Sequence, residues 1–430
     1  MLRGHRSRLG LLVALFSFAC RRRPEARDAA AEADAADAPA TRDADPGRDA
    51  PAPDPCTLTG VETVAALDEV DASVSRWEAL DRVGSWALAV DGVAGALRLW
   101  QGSAPRGSLA VGLEHSDPRL GVSDAGAPWV AWVRHDMQGR RHLVRWGQGL
   151  DLGCEQAEGR DEGLTLDAVE LGGRIVVVWD EVGPEPAAGR IFVQAIARAQ
   201  MRPVNARGVA GLCPAPRLLS PQEQDASDPI ITRVGPGAAV FWLTARDVET
   251  GAGEHNETLS DLWAQGLNDQ GVAVGRALRI THAVGHRFGL AAASAGPERV
   301  YLAWRNAPDS DSEARGDGGE LAVALIAVDR GALTRVVASS LVTTPGAVPS
   351  GAPAVRADRE GAAVFWRERR EGAVATFRRR VDLAGRPEGA PVAVPSLGDA
   401  LPLREAPAGD TLMTLQRREG RLVARRFRCR

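Results

Sequence analysis

One strand pattern recurs seven times after residue 70 and limits what this chain can become. It is a short, almost wholly apolar run, usually closed by tryptophan: Trp86–Val90, Trp129–Trp132, Ile175–Trp179, Ala238–Trp242, Val300–Trp304, Ala362–Trp366 and Leu412–Leu415. The closing tryptophans at 132, 179, 242, 304 and 366 are spaced by 47, 63, 62 and 62 residues. A glycine precedes each of them (Gly126, Gly173, Gly237, Gly296, Gly361), where a hairpin turn calls for positive φ. A third, alternating strand follows each run: Ala96–Trp100, His142–Trp146, Ile191–Ile196, Leu262–Leu267, Leu321–Val328, Val374–Val381 and Leu422–Phe427. An apolar strand between alternating ones fits an inner strand covered on both faces by neighbouring sheets. No stretch after Cys56 carries a helical 3.6 period. The pattern therefore predicts an all-β fold over residues 56–430, a seven-bladed β-propeller with tryptophans packed between blades.

Residues 1–19 read as an address. Arg3, Arg6 and Arg8 precede an apolar run, Leu9–Phe18, which has signal-peptide length and is too short to span a bilayer. Ser17-Phe18-Ala19-Cys20 then resembles a bacterial lipobox, with Ser17 where leucine is usual. The resemblance implies a lipoprotein: Cys20 acylated with palmitate-class chains and the chain anchored to a membrane. Arg21 stands where an inner-membrane retention Asp would be, which points to the outer membrane. From Pro24 to Pro55 there is no Leu, Ile, Val or aromatic residue, and nine acids face three arginines. Such a segment cannot bury enough apolar area to offset its ordering entropy. Residues 20–55 are thus expected to be a lipid-anchored, disordered linker with a span on the order of 30 Å.

Four cysteines remain: Cys56, Cys154, Cys213 and Cys429. An even number in an exported chain suggests two disulfides. The seventh repeat ends at Arg430 without a fourth strand, and Cys56–Val64 is a strand-like segment free to supply it. An antiparallel pairing sets the end of the third strand beside the start of the fourth, so Cys429 meets Cys56 and the ring closes through its N-terminal strand. Cys154 and Cys213 then pair by elimination.

The chain has no lysine, and its 52 arginines are outnumbered by 56 acids. Without a basic excess there is no electrostatic case for nucleic acid. Pro353–Trp366, like Pro229–Trp242, resembles the degenerate blades of the sialidase-like propeller superfamily. That resemblance implies a propeller and, in its enzymes, an arginine triad, a tyrosine nucleophile and an aspartate acid/base. The single tyrosine, Tyr301, lies inside an apolar strand and reads as core. No catalytic residue is assigned.

Two polar insertions, Thr244–Ser260 and Asn306–Gly319, fall between second and third strands and are expected on one face. The second leads into Glu320, so that Asp309, Asp311, Glu313, Asp317 and Glu320 occupy calcium-loop positions 1, 3, 5, 9 and 12. Ala314 stands where such loops need glycine, so the segment reads first as a solvated acidic loop, with weak Ca²⁺ binding as the alternative. His255, His282 and His286 are read as solvated loop residues, with zinc as the alternative. The functional expectation is an envelope lipoprotein, monomeric, whose propeller binds a protein or glycan partner or acts as its scaffold. A glycoside hydrolase or lyase and a purely structural component are the alternatives.

Overall fold

The computed structural model describes residues 55–429 apart from segments 67–76, 84–85, 92–95, 102–103, 111–113, 137–138, 157–164, 183–188, 205–210, 250–255, 283–284, 308–318, 371–372, 399, 402–410 and 419–420. Cys20 and the 20–55 linker, but for Pro55, lie outside the described residues, as do His255, Asp309, Asp311, Glu313 and Asp317.

The fold is nearly all-β. β1 (Cys56–Ala66) is followed by a first antiparallel sheet of β2 (Trp77–Val83), β3 (Trp86–Asp91), β4 (Ala96–Gln101) and β5 (Ala104–Ala110). The second sheet is built on β6 (Glu114–Val122), β7 (Pro128–Asp136), β8 (Gly139–Trp146) and β9 (Leu152–Glu155). The third begins with β10 (Leu166–Leu171), β11 (Arg174–Val182) and β12 (Gly189–Ala197). Its chain then crosses back to lay β13 (Arg202–Pro203) and β14 (Gly211–Leu212) against β9, before β15 (Arg217–Leu218) returns as its fourth strand. The fourth sheet is β16 (Asp225–Val234), β17 (Gly237–Glu249), β18 (Asn256–Leu267) and β19 (Ala273–Arg279). The fifth is β20 (His286–Ser294), β21 (Arg299–Ala307), β22 (Glu320–Asp329) and β23 (Ala332–Leu341). The sixth is β24 (Pro349–Asp358), β25 (Gly361–Arg370), β26 (Ala373–Val381) and β27 (Pro387–Ala393). Finally β28 (Thr411–Arg418) pairs with β29 (Arg421–Cys429), and β1 lies on the far side of β29.

Successive sheets pack face to face, and the second strand of each supplies the core on both sides. Alternate residues of β11 show this: Ile175, Val177 and Trp179 pack on the second sheet, while Val176 and Val178 pack on the fourth. This double coverage is why the run has no polar alternation. The apolar strand is second in its sheet, flanked by other strands as expected, and the first strands line the cleft described below.

The closing tryptophan has a partner feature in the first strand. In sheets two, four, five and six the β-ladder skips across Trp132, Trp242, Trp304 and Trp366, and the first strand bulges opposite each. Every bulge holds one left-handed residue: Asp117 (φ 47°), Asp228 (φ 52°), Gly289 (φ 62°) or Gly351 (φ 67°). One extra residue there, or two in sheet six, bends the strand around the indole. Aspartate tolerates this conformation better than most side chains.

Cys56 faces Cys429 in the β1–β29 register, and the two are disulfide-bonded. Cys154 on β9 is bonded to Cys213, just after β14, so this disulfide pins the crossing segment to the second sheet. The first insertion is a hairpin and not a loop: β17 and β18 pair out to Glu249↔Asn256. Gly237 does not carry the positive φ expected of it; Gly235 does (φ 56°). Gly237 is needed for space, because a Cβ there would sit 2.1 Å from the carbonyl oxygen of Leu267.

Candidate functional site

The ladder registers identify equivalent first-strand positions. Residues opposite the site two before each closing tryptophan are Leu120, Ala168, Ile231, Ala292 and Val355 in sheets two to six. The next level is Gly121, Val169, Thr232, Ala293 and Arg356; the one after it is Val122, Glu170, Arg233, Ser294 and Ala357. These two levels, with Trp129 and, from the level before, Ala292 and Val355, make the wall of a single cleft of about 380 Å³. Five sheets therefore converge on it.

Most of the wall is small or apolar, as repeat packing requires, so the polar exceptions stand out: Glu170, Thr232, Arg233, Ser294 and Arg356. Glu170 is largely buried and accepts the Gly173 amide at 2.8 Å. Arg233 is half exposed, with its guanidinium 3.9 Å from the exposed Asp124 carboxylate. Burial holds the Arg356 guanidinium below the ordinary arginine range. The Ser294 hydroxyl donates to the Gly296 carbonyl at 2.5 Å, which leaves a wall with two guanidiniums, the Thr232 hydroxyl and one carboxylate, suited to an anionic group.

Toward the start of the same strands lies a buried polar cluster between sheets two, three and four. Asp167, fully buried, accepts Arg119 Nε at 2.7 Å from sheet two and the Ile231 amide at 2.8 Å from sheet four. It thereby stitches three sheets together. Asp180 accepts the Thr165 amide at 2.5 Å and the Asp228 amide, in the sheet-four bulge, at 3.3 Å. Burial and the nearby Asp228 charge outweigh those bonds and push the Asp180 carboxyl up to about 6. His142 is buried against Trp179, ring centroids 4.3 Å apart, with Nε2 2.9 Å from Gln194 Oε1. Burial pulls its pKa down to about 4, so it is neutral at pH 7.

Three closing tryptophans donate their indole N–H to a side chain two residues on: Trp179 to Glu181 (2.7 Å), Trp304 to Asn306 (2.7 Å) and Trp366 to Glu368 (3.2 Å). Trp-x-Glu/Asn is legible in the sequence once the bond is known, and sequence reasoning missed it. It missed equally the tripeptide Ser-Asp-Pro, present at 116–118 and 227–229, which marks two of the bulges.

Of the residues singled out from sequence, Glu320 opens β22, exposed and paired with Asn306. His282 is exposed, whereas His286 is buried on β20, its Nδ1 3.5 Å from Ser260 Oγ, which corrects its reading as a solvated loop residue. Among the described residues, no three His, Cys, Asp or Glu side chains gather as a metal site. Tyr301 is fully buried and donates its hydroxyl to the Asp382 carbonyl at 2.8 Å; burial pushes its pKa up to about 12.

No family model and no curated protein sequence matches the chain. Among solved structures it is similar to the β-propeller domain of the Trilobed protease from Pyrococcus furiosus, at 9% identity and TM-score 0.48 over 83% of this chain and 95% of that one. It is also similar to an α-L-arabinofuranosidase from Fusarium graminearum, at 11% identity and TM-score 0.40 over 73% of this chain and 92% of that one. A thermostable family-43 glycoside hydrolase follows at 10% identity and TM-score 0.37, over 69% and 95%.

Proposed function

We propose that this chain is an envelope lipoprotein whose seven sheets are the blades of a closed β-propeller, serving as a binding or scaffold module for a protein or glycan partner. Closure is supported by the last sheet, in which β1 completes β28 and β29, and whose strands also approach β2, β4 and β5 of the first. In a closed ring the cleft walled by five first strands is one mouth of the central channel. That convergent, partly cationic mouth carries the binding reading. Affinity capture from detergent-solubilised envelopes tests it: one partner should be retained by the wild type, and a partner list no different from that of an unrelated lipoprotein would refute it.

The anchor is read from Cys20. Cys20→Ser should move the protein from the membrane to the soluble fraction, and unchanged fractionation would refute the lipoprotein reading. Glycoside hydrolysis is a second reading, favoured by Asp180. A carboxyl with a pKa of about 6 near a second carboxylate is the pairing such acid/base chemistry uses. Aryl-glycoside turnover that Asp180→Asn abolishes would support that reading in place of the first.

A further inference from the structure

We propose that the cleft walled by Thr232, Arg233, Arg356 and Glu170 is a site for free hydrogenphosphate. This rests on the binding reading above and names the chemistry of one of its sites.

The argument starts from repeat symmetry. At the two ladder levels that form the wall, a first strand needs only small or apolar residues, and sheet two has Gly121 and Val122. Sheets three to six depart from that rule at these levels with Glu170, Thr232, Arg233, Ser294 and Arg356, of which Ser294 donates its hydroxyl to the Gly296 carbonyl in its own turn and the other four line one cleft. Packing does not call for Arg356 where the neighbouring sheets have Ala293 and Thr232. Both arginines come from first strands, one in sheet four and one in sheet six, so they line the cleft from different sides, and Arg356 also lines the cavity toward Phe365 and Leu412.

That separation selects the shape of the ligand. One guanidinium fork saturates a planar carboxylate, which offers two oxygens. Two forks from different directions, with the Thr232 hydroxyl, match a tetrahedral group with three or four acceptor oxygens. The volume of about 380 Å³ admits one phosphate ion with its water. Burial of Arg356, which disfavours its charge, would be offset by a dianion.

Glu170 sets the second selection. Its carboxylate accepts one bond from the Gly173 amide and is an acceptor only. It therefore welcomes an oxyanion that carries a proton and repels one that carries none. Phosphate retains a proton near neutral pH and sulfate does not, so the site should take phosphate and refuse sulfate.

Calorimetry on the detergent-solubilised full chain at pH 7, with inorganic phosphate, glucose 6-phosphate, sulfate and acetate, tests this. Phosphate should bind, with sulfate, acetate and glucose 6-phosphate, whose phosphomonoester is mostly unprotonated at pH 7, at least tenfold weaker. Arg356→Gln should weaken phosphate at least tenfold, and Glu170→Gln should raise sulfate affinity, because an amide donates where a carboxylate cannot. Thr232→Val, an isosteric change, should weaken phosphate several-fold and covers the case in which an arginine variant fails to fold. Acetate, sulfate or the sugar phosphate binding as tightly as phosphate, or phosphate binding unaffected by both Arg356→Gln and Thr232→Val, would overturn the assignment. No phosphate binding while partner capture persists defeats this inference alone; loss of both defeats the binding reading as well.

Discussion

Asp180 and His142 flank Trp179 and titrate in opposite senses, so replacing one should uncover the other. In the fold, Asp180 holds its proton up to about pH 6, whereas in the unfolded chain its value is the ordinary 3.8. Between those values the folded state binds the extra proton, and stability falls by about 1.4 kcal/mol per unit as pH rises, roughly 3 kcal/mol in all. His142 falls from 6.5 to about 4 on folding. There the unfolded state binds the extra proton, and stability is lost at a similar rate as pH falls from 6.5 toward 4. Between about pH 4 and 6 the two slopes offset each other. Asp180→Asn keeps an oxygen for the Thr165 amide and removes the charge. Relative to wild type it should gain up to about 3 kcal/mol at pH 7, less whatever the weakened Asp228 contact costs, and that gain should shrink by about 1.4 kcal/mol per unit below pH 6. The readout is urea unfolding by tryptophan fluorescence at pH 4.5, 5.5, 6.5 and 7.5. A wild-type-to-variant difference that does not change with pH would refute the reasoning.

His142→Gln should give the mirror image, a variant whose disadvantage at pH 7 disappears toward pH 4 in the same assay. Asp228→Asn should lower the Asp180 pKa by removing the nearby charge, read from the pH midpoint of the Asp180 carboxyl carbon signal in NMR. Gly237→Ala, which drives a Cβ into the Leu267 carbonyl, should cost more than 1 kcal/mol in urea unfolding, whereas Gly126→Ala, with open space but positive φ, should cost about 1 kcal/mol. Calorimetry with millimolar Ca²⁺ tests the acidic loop: equal heats in wild type and Asp309→Ala/Asp311→Ala leave a solvated loop, and heat lost only in the variant establishes a cation site.

The second strands were legible because burial on both faces leaves an unbroken apolar run, as in Ile175–Trp179. The β1–β29 pairing was legible because a repeat short of one strand and a spare strand at the far end admit a simple join. The bulges were not, although Ser-Asp-Pro occurs twice, since a bulge is a property of register and register appears only when two strands are laid side by side. Glu170 and Arg356 were passed over for a related reason. They sit 186 positions apart in sequence and share one cleft only after five sheets are stacked. The crossing of β13 and β14 back to β9 has no periodic signal at all; Cys213 alone hinted at it.

The joining of β1 to β29 also imposes a schedule. Cys56 is the first of the four bonded cysteines to be synthesised, and its partner, 373 residues later, is the last. Throughout that interval β1 has no strand to pair with and Cys56 no correct thiol, while Cys154 and then Cys213 pass within reach. A chain oxidised as it emerges meets the wrong partner first, because the shorter loop closes at lower entropic cost. Maturation thus depends on thiol exchange after the last strand arrives, and cell-free synthesis under oxidising conditions without a disulfide isomerase should accumulate a Cys56–Cys154 species with its final sheet unassembled.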